Sequence, residues 1–377
     1  MIKTTIKHIQ LPPHQRILMI SDIHGHCTGL KTLLEKAQFG QDDLLVIVGD
    51  LIEKGPESLE TLRYVMDLCQ THNVCPLIGN VDLWRLEMLL SEDITLQQKL
   101  LRYSLKAETW WNKSVLGELC REIGVELTKD MDTQKVFAQL RKHFDKEFHF
   151  LLSLPTILET QNMIFVHGGL PHEDLSALEG TDAFPLLKRD MFLTSGLSFQ
   201  KYVVVGHWPT PLYCDHIPCS NPIIDREKHI IALDGGMGLK DNGQLNLLVM
   251  DSWEKEQFSL YTWDGLPMIT ALEAQQPSAD SIYLHWAREP VTVTLLSEEG
   301  DMSRILYAGR ELLVPTKCLY EQDSALCCDD ISDYHLSVAS GDSLSLIFTT
   351  GYGCYVKKDG VAGWYRGKYT HSKETNA

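Results

Sequence analysis

Six residues of metal-ligand type come directly after short apolar runs of the sequence. The runs are typical of buried strands, and they end in the motifs "SDIHGH", "VGD", "IGN", "VHGG" and "VGH". Because ligands of open α/β sheets bind beyond the carboxyl ends of the strands, these five ends are expected to converge on one crevice. The chemistry predicted there is metal binding through carboxylate, amide and imidazole groups, by Asp22, His24, Asp50, Asn80, His167 and His207.

This mixed donor set suits a borderline cation such as manganese, iron or zinc better than calcium. Asp22 and His24 are two residues apart, which places both side chains on one side of an extended strand end. An aspartate after a strand is also a common helix N-cap, and this is an alternative explanation for Asp22 or Asp50 taken singly. It leaves the histidines unexplained, so a metal site is the preferred interpretation.

The elements that must position these residues alternate along the first part of the chain. Helical patterns separate the first three apolar runs, which predicts a parallel α/β arrangement at the start. Charged and apolar residues at helical spacing predict a helical insertion over about residues 83–150. The turn signal "KDNG" within "HIIALDGGMGLKDNGQLNLLVMD" predicts a hairpin. Strands covered on both faces are predicted at 16–21, 43–49, 74–79, 162–168 and 202–207.

The last hundred residues follow a different pattern, with short β-like runs and Gly-Asp or Asp-Gly turns. They predict a small all-β domain over 280–377, and the polar segment at 271–281 predicts its boundary with a domain over 1–270. The run "SGDSLSLIFTTGYGCYVKKDGVAGWY" resembles a bacterial Src-homology-three-type barrel. Two roles are open for its aromatic residues. They line a ligand groove, through which the domain would contact a protein or peptide, or they fill a core. They are Tyr352, Tyr355, Trp364 and Tyr365.

Composition limits the partners of this chain of 377 residues. Its 51 acidic and 34 basic residues give a net charge of −17, which repels nucleic-acid backbones and anionic membranes. We find no apolar run of membrane-spanning length and no signal-peptide pattern, so a cytoplasmic protein without a membrane partner is expected. The ten cysteines lack CxxC pairs, which disfavours a disulfide scaffold. A metal shared by Cys214, Cys219 and His216 is the alternative to structural roles for these residues.

In order and spacing, the blocks "SDIHGH", "GDLIEKG", "GNVD", "HGG" and "GHWPT" resemble the five motifs of calcineurin-like metallophosphoesterases. The resemblance covers about residues 16–250 and is greatest to the phosphoprotein phosphatase branch, which includes symmetrical dinucleoside tetraphosphate hydrolases. It implies an α/β fold, a β-sandwich flanked by helices, and two divalent transition-metal ions. By this resemblance the first ion is held by Asp22, His24 and Asp50, and the second by Asp50, Asn80, His167 and His207.

Two such cations about 3.5–4 Å apart can hold a bridging hydroxide at neutral pH and clamp phosphoryl oxygens for in-line attack. A net-acidic protein can thereby bind an anionic ester. Lys54 in "IEKGP" is a further candidate for binding the phosphate. So is Arg189, because "LLKRD" resembles a segment that donates an arginine to phosphate in bacterial relatives. A solvated surface pair with Lys188 is the alternative for Arg189.

The third block departs from the family pattern, which reads GNH and uses its histidine to protonate the leaving oxygen. Val81 stands at that position, and the usual aspartate and arginine of the second block are replaced by Glu53 and Lys54. A missing general acid costs about 10²–10⁴-fold, and the loss is greatest for poor leaving groups. Glu53, His26 and Asp82 are candidates for a substitute acid. Packing beside the first metal is the alternative role for His26.

The sequence therefore predicts a dinuclear metal-dependent hydrolase that prefers phosphodiesters or nucleotide-type and activated esters as small-molecule substrates. One alternative is a phosphomonoesterase that resembles serine/threonine-protein phosphatases and uses a substitute acid. Another is a metal-binding interaction module with weakened catalysis. Because the module gives no chemical reason to keep all six ligand-type residues, the enzyme is the preferred interpretation.

Overall fold

The computed structural model describes residues 2–110, 113–252, 255–285, 290–297, 300–322 and 324–371. Residue contacts separate two compact units. The first consists of Met1–Pro209, Pro222–Leu239 and Leu245–Trp263, and the second of Thr210–Asn221, Lys240–Gln244 and Asp264–Ala377.

Two β-sheets form the centre of the first unit. Among the described residues the strand orders are β1-β5-β6-β7-β9-β8 in one sheet and β11-β10-β2-β3-β4 in the other. β2, β3 and β4 pair in parallel, which confirms the arrangement predicted for the start of the chain. The strands are β1 (Ile6–His8), β2 (Ile17–Ile20), β3 (Leu44–Ile47), β4 (Asn73–Pro76), β5 (Ile157–Glu159), β6 (Met163–Val166), β7 (Tyr202–Val205), β8 (Ile223–Asp225), β9 (Ile230–Ala232), β10 (Leu245–Met250) and β11 (Phe258–Trp263).

Neighbouring residues of the central strands face two different cores. Met19 of β2 belongs to a cluster with Phe165 and Val204 of the other sheet, so the two sheets pack face to face. Ile20, the next residue, belongs to the cluster that the sheet shares with the helices. This alternation follows from the two-residue period of a strand, and burial on both faces explains the nearly continuous apolar runs. The predicted β-sandwich flanked by helices is confirmed.

The helices of the first unit pack on the outer face of the five-stranded sheet. Side chains cap several of the described helices. Ser114 accepts from the Gly117 amide at the start of α5, and Asp132 accepts from the Lys135 amide at the start of α6. The predicted helical insertion is confirmed by α4 to α7 and by most of α3. The helices are α1 (Cys27–Lys36), α2 (Ser58–Thr71), α3 (Asn80–Leu90), α4 (Ile94–Trp110), α5 (Val115–Glu122), α6 (Thr133–His143), α7 (Asp145–Ser153) and the short α8 (Phe184–Leu187).

The predicted hairpin around "KDNG" is wrong. β9 pairs with β7 and β8, whereas β10 pairs with β2 and β11, so the two strands belong to different sheets. A turn signal between two apolar runs does not distinguish a hairpin from a connection that crosses between sheets. The antiparallel pair in this region is β10 with β11, in a register that runs from Leu245 opposite Trp263 to Met250 opposite Phe258.

The second unit consists mainly of β-strands, as predicted for the C-terminal part of the chain. β12 pairs with β20 and β23, so residues 264–271 belong to this unit, and a cut at 271–281 would separate β12 from its sheet. The strands are β12 (Met268–Ala271), β13 (Tyr283–Leu284), β14 (Thr292–Leu295), β15 (Met302–Tyr307), β16 (Arg310–Pro315), β17 (Leu319–Gln322), β18 (Ala325–Cys328), β19 (Ile331–Ser332), β20 (Ser343–Thr349), β21 (Cys354–Lys358), β22 (Val361–Tyr365) and β23 (Tyr369–His371).

Three of the four aromatic residues that could line a groove fill the core of the second unit instead. Tyr355, Trp364 and Tyr365 are buried, and the Trp364 indole donates to the Ser332 carbonyl. Tyr352 is partly exposed. Aromatic rings at alternating positions of paired strands here serve packing.

Cys214 and His216, considered above as ligands of a separate metal together with Cys219, have other contacts within the second unit. The ring of His216 is bonded through Nδ1 to the Ser281 carbonyl at 2.9 Å, and Cys214 Sγ lies 3.8 Å from the Thr210 carbonyl. Among the described residues, the grouping of His, Cys, Asp and Glu that could hold a metal lies in the first unit. Structural roles therefore account for Cys214 and His216.

No helix in the described part of the chain has the length and apolar character needed to cross a bilayer.

Candidate metal centre

The six predicted ligands come together at the carboxyl ends of strands from both sheets of the first unit. The structure thus brings the five strand ends to one place, but they belong to two facing sheets rather than one open sheet. Asp22 and His24 follow β2, Asp50 follows β3, Asn80 begins α3 after β4, His167 follows β6 and His207 follows β7.

Asp22, His24 and Asp50 form a buried group whose ligand atoms lie within 4.8 Å of one another. His24 Nε2 is 3.8 Å from Asp22 Oδ1 and 3.6 Å from Asp50 Oδ2. Separations of this size are expected between neighbouring ligands of one cation, whose bonds to nitrogen and oxygen measure about 2.0–2.2 Å. The donor set and its spacing therefore fit a first transition-metal ion.

Asp50 also faces a second group of donors. Its Oδ1 lies 3.5 Å from His167 Nε2, whereas its Oδ2 faces His24. Asn80 Oδ1 lies 2.9 Å from His167 Nε2 and 2.8 Å from His207 Nδ1. The two carboxylate oxygens of Asp50 are thus directed at two different sets of ligand atoms.

Each of the three histidines has its outer ring nitrogen fixed by an acceptor. This leaves the inner nitrogen directed at the carboxylate and amide oxygens, which is the arrangement typical of metal-binding histidines. The acceptors are the Ile52 carbonyl for His24 Nδ1 at 3.3 Å, the Val48 carbonyl for His167 Nδ1 at 2.8 Å and the Asp190 carboxylate for His207 Nε2 at 2.7 Å.

Burial and the charges of neighbouring groups shift the pKa values of these ligands. Burial raises the pKa of Asp22 to about 6 and, together with His167, lowers the pKa of His207 to about 4. Burial also opposes a charge on His167, but the carboxylates of Asp50 and Asp22 raise its pKa to about 10. Neutral His207 therefore presents a lone pair to an amide oxygen, and a metal at His167 must displace a proton. A cation would satisfy both rings.

Four of the ligand residues have a left-handed backbone that non-glycine residues seldom adopt. Their φ angles are 50° for Asp22, 46° for His24, 53° for Asp50 and 67° for His207. Such conformations persist where the surrounding structure enforces them, and they cluster at functional sites. The extended strand end predicted to place Asp22 and His24 on one side is thus wrong. Their side chains meet because the backbone turns sharply after β2.

Two glycines allow the ligand-bearing segments to approach one another. A Cβ atom on Gly79 would lie 2.0 Å from Asp50 Oδ1, and one on Gly206 would lie 2.2 Å from Asp22 Oδ2. Any side chain at these positions would collide with a ligand carboxylate. The glycines of the motifs "IGN" and "VGH" are therefore required by packing.

Residues 15–233 of the chain match the family model described as calcineurin-like phosphoesterase. The chain belongs to the calcineurin-like phosphoesterase family. The match includes every ligand-bearing strand end described above.

Curated relatives of this phosphoesterase include two symmetrical bis(5'-nucleosyl)-tetraphosphatases. The protein from Psychromonas ingrahamii is 46% identical over 66 residues, which are 17% of this chain and 23% of the relative. The protein from Buchnera aphidicola subsp. Baizongia pistaciae is 39% identical over 89 residues, which are 23% of this chain and 31% of the relative. The chain thus spans less than a third of the length of these relatives.

Solved structures that match the phosphoesterase include two phosphatases. A cold-active protein-tyrosine phosphatase of a Shewanella species is 17% identical, with a TM-score of 0.41 over 65% of this chain and 78% of that chain. A protein serine/threonine phosphatase from Saccharomyces cerevisiae is 13% identical, with a TM-score of 0.42 over 70% of this chain and 85% of that chain.

Glu53, one of the residues predicted as a substitute acid, is buried in an ion pair of the phosphoesterase. Its Oε2 accepts from Arg85 Nε at 2.5 Å, and its Oε1 accepts from the Val115 amide at 3.4 Å. The Arg85 guanidinium in turn lies 3.9 Å from the ring centroid of Tyr103. Both carboxylate oxygens are therefore engaged in joining the segment after β3 to the helices α3 and α5.

Asp82 accepts three backbone hydrogen bonds. Its Oδ1 receives the amides of Leu51 and Ile52, and its Oδ2 receives the amide of Gly79. Burial, and then the charge of Asp50, raises the pKa of Asp82 to about 7. The structure places this carboxyl between the turn after β3 and the start of α3, where it fixes the backbone of both.

The remaining predicted residues are His26, Lys54 and Arg189, and each has a different set of contacts. His26 Nδ1 lies 3.0 Å from the Ile23 carbonyl, and burial lowers the pKa of this ring. Lys54 Nζ lies 3.0 Å from His24 Nε2, so the structure brings this cation to the site. The Arg189 guanidinium lies 5.8 Å from the centroid of the Phe192 ring.

Two further carboxylates at the site were not predicted. Asp190 bonds to His207. The prediction for this segment concerned its sequence neighbour Arg189, because an arginine can bind phosphate. Asp234 is buried, and among the described residues its Oδ2 has no hydrogen-bond partner, while burial and the charge of Asp22 raise its pKa. Asp234 follows the apolar run of β9, so the signal that identified the other strand-end residues also marks it.

Replacing Asp190 with alanine is expected to weaken metal binding at the group of donors that contains His207. The carboxylate holds the ring of His207, and loss of such an outer partner typically costs about 10–100-fold in metal affinity. Titration calorimetry with Mn²⁺ measures the effect, with Asp174→Ala as the control because Asp174 bonds only locally, to Ser176. Equal affinities for Asp190→Ala and the unaltered protein would contradict this role.

Proposed function

We propose that this phosphoesterase is a dinuclear metal-dependent hydrolase of nucleotide-type phosphate esters. The observation that supports this most strongly is the position of Asp50, whose two oxygens face separate groups of ligand atoms at 3.6 Å and 3.5 Å. A carboxylate in that position can be shared by two cations.

The proposed first cation site consists of Asp22, His24 and Asp50, and the second of Asp50, Asn80, His167 and His207. When bound, two cations supply Lewis-acid stabilisation of the phosphoryl oxygens and an activated water. The protein supplies the fixed geometry, because carbonyls and Asp190 hold the outer nitrogens of the three histidines. Rings held in this way need little reorganisation when a metal binds.

Lys54 provides positive charge for the substrate in a protein whose net charge is −17. Its ammonium bonds to His24 Nε2, the nitrogen that faces the first cation site. Burial lowers the pKa of Lys54, while the carboxylates of Asp50 and Asp22 act in the opposite direction. With a cation held by His24, this ammonium would be available to bind a phosphoryl oxygen of the substrate.

In the described part of the chain, the residues predicted as substitute acids are held by other partners. Val81 has no ionisable group, Glu53 is paired with Arg85, and Asp82 accepts three backbone amides. His26 is held against Ile23 with a lowered pKa. We therefore propose that the leaving group departs without a proton from the protein.

Departure without a proton from the protein favours a leaving group that is a stable anion. A phosphate has a second pKa near 6, so a nucleoside phosphate can leave a polyphosphate chain unprotonated at neutral pH, whereas a serine alkoxide cannot. The relatives named above as symmetrical bis(5'-nucleosyl)-tetraphosphatases support the same substrate class. Dinucleoside polyphosphates and activated diesters are therefore the proposed substrates.

The Mn²⁺-loaded protein should hydrolyse diadenosine tetraphosphate and bis-p-nitrophenyl phosphate faster than phosphoserine peptides. Values of kcat/KM for the three substrates, with the metal-free protein as control, test this expectation. Faster hydrolysis of the phosphoserine peptide would support the phosphomonoesterase alternative. Metal binding without hydrolysis of any substrate would support the interaction module.

A further inference from the structure

An aromatic side chain lies exposed close to the metal centre. Trp84 is 41% exposed, which is the largest exposed fraction among the described phenylalanine, tyrosine and tryptophan residues. It follows Asn80 by four residues on α3, so the two side chains lie on the same face of the helix, one turn apart. A turn of helix advances about 5.4 Å, so the backbone of Trp84 lies about one turn from that of a candidate metal ligand.

A second ring extends this surface. The Phe184 centroid lies 6.0 Å from that of Trp84, with the planes inclined by 35°. Phe184 begins α8, whose residue Leu186 accepts the amides of Gly168 and Gly169 immediately after His167. Hydrogen bonds thus tie both rings to segments that carry candidate metal ligands.

The chain next to Phe184 combines charge with further apolar surface. Lys188 and Arg189 follow α8 directly, and Lys188 Nζ is paired with Asp190 Oδ1 at 2.8 Å. Met191 is 45% exposed with a left-handed φ of 55°. Cations suit the phosphate part of a nucleotide, and exposed rings suit its base.

We propose that Trp84 and Phe184 form a stacking site for the nucleobase of the substrate, an inference that rests on the proposed function. Stacking on an aromatic ring requires only the π-face of a base, so the site tolerates different bases and favours the larger purines. Removing one such ring typically weakens recognition about 5–150-fold. Trp84 would then distinguish nucleotide esters from simple phosphate esters.

Two esters with the same leaving group test the proposal. Thymidine 5'-p-nitrophenyl phosphate carries a base, and methyl p-nitrophenyl phosphate does not. In Trp84→Ala the ratio of their kcat/KM values should fall about 5–150-fold in favour of the methyl ester, and Trp84→Phe should restore much of it. Leu152→Ala is the matched control, because Leu152 is 44% exposed on α7, and its ratio should equal that of the unaltered protein. An unchanged ratio in Trp84→Ala would overturn the stacking site.

Binding of adenosine monophosphate separates this inference from the proposed function. Titration calorimetry should show affinity about 5–150-fold weaker for Trp84→Ala than for the unaltered protein. If the unaltered protein hydrolyses neither ester but binds the nucleotide through Trp84, the proposed function fails and the stacking site stands. If both proteins bind the nucleotide equally, the stacking site is wrong even when hydrolysis is observed.

Discussion

Replacing Asp50 with asparagine is expected to remove both metal ions and hydrolysis together. The two oxygens of Asp50 face separate ligand groups, and an amide offers one neutral oxygen in place of two that share a negative charge. The loss in kcat/KM should exceed the roughly 10–100-fold that follows removal of an outer partner of a metal ligand. Elemental analysis of the purified protein and kinetics on bis-p-nitrophenyl phosphate measure the two effects.

The control for this variant is Asp43→Asn. Asp43 is also a buried carboxylate, but it accepts from Arg16 and the Gly40 amide outside the metal centre. Asparagine at position 50 can still accept the Val81 amide, so circular dichroism should show a folded chain. Retention of both ions by Asp50→Asn would contradict a shared ligand, and loss of a single ion would assign Asp50 to one site.

The candidate ligands could be predicted because each follows an apolar run long enough to be identified as a strand. The strands define the ends at which side chains meet, and residue type defines the chemistry. What the runs do not contain is the pairing between strands. The crossing from β9 to β10 depends on contacts between residues far apart in the chain, so the expected hairpin is wrong. The facing of the two sheets was expected from the resemblance to the family and not from the runs themselves.

Partners of polar residues were likewise beyond the sequence pattern. Glu53 and Asp82 are acidic residues beside the metal centre, which made each a candidate acid. Their roles depend on the Arg85 side chain and on three backbone amides that tertiary folding brings to them. Residue type shows that a proton can be donated, whereas the hydrogen bonds show whether the group is free to donate it.

The boundary between the units shows the same limitation. A polar, turn-rich segment is a good signal for a linker, and 271–281 has that composition. Strand β12 lies just before it and pairs with β20 and β23, more than 70 residues later. Such long-range pairing leaves no trace in local composition.

Val81→His is expected to raise hydrolysis of esters with poor leaving groups. Val81 is the second residue of α3, and its amide donates to Asp50 Oδ1, so the backbone at this position is already held against the metal centre. The resemblance to the family implies that an imidazole here faces the leaving oxygen. A general acid contributes about 10²–10⁴-fold, and the gain should be near the lower end, because Glu53 is engaged with Arg85 and cannot readily orient the new ring.

The dependence of rate on the leaving group is the measurement that tests this variant. A series of aryl and alkyl phosphate monoesters should give a steep fall in kcat/KM with rising leaving-group pKa for the unaltered protein, and a shallower fall for Val81→His. Val81→Asn is the control, because asparagine is polar but cannot act as an acid. Position 81 is 6% exposed, so thermal unfolding of both variants must show that the polar side chains are accommodated. A shallow dependence in the unaltered protein would contradict the missing acid, because it would mean that another group, a residue or a metal ion, already stabilises the leaving oxygen.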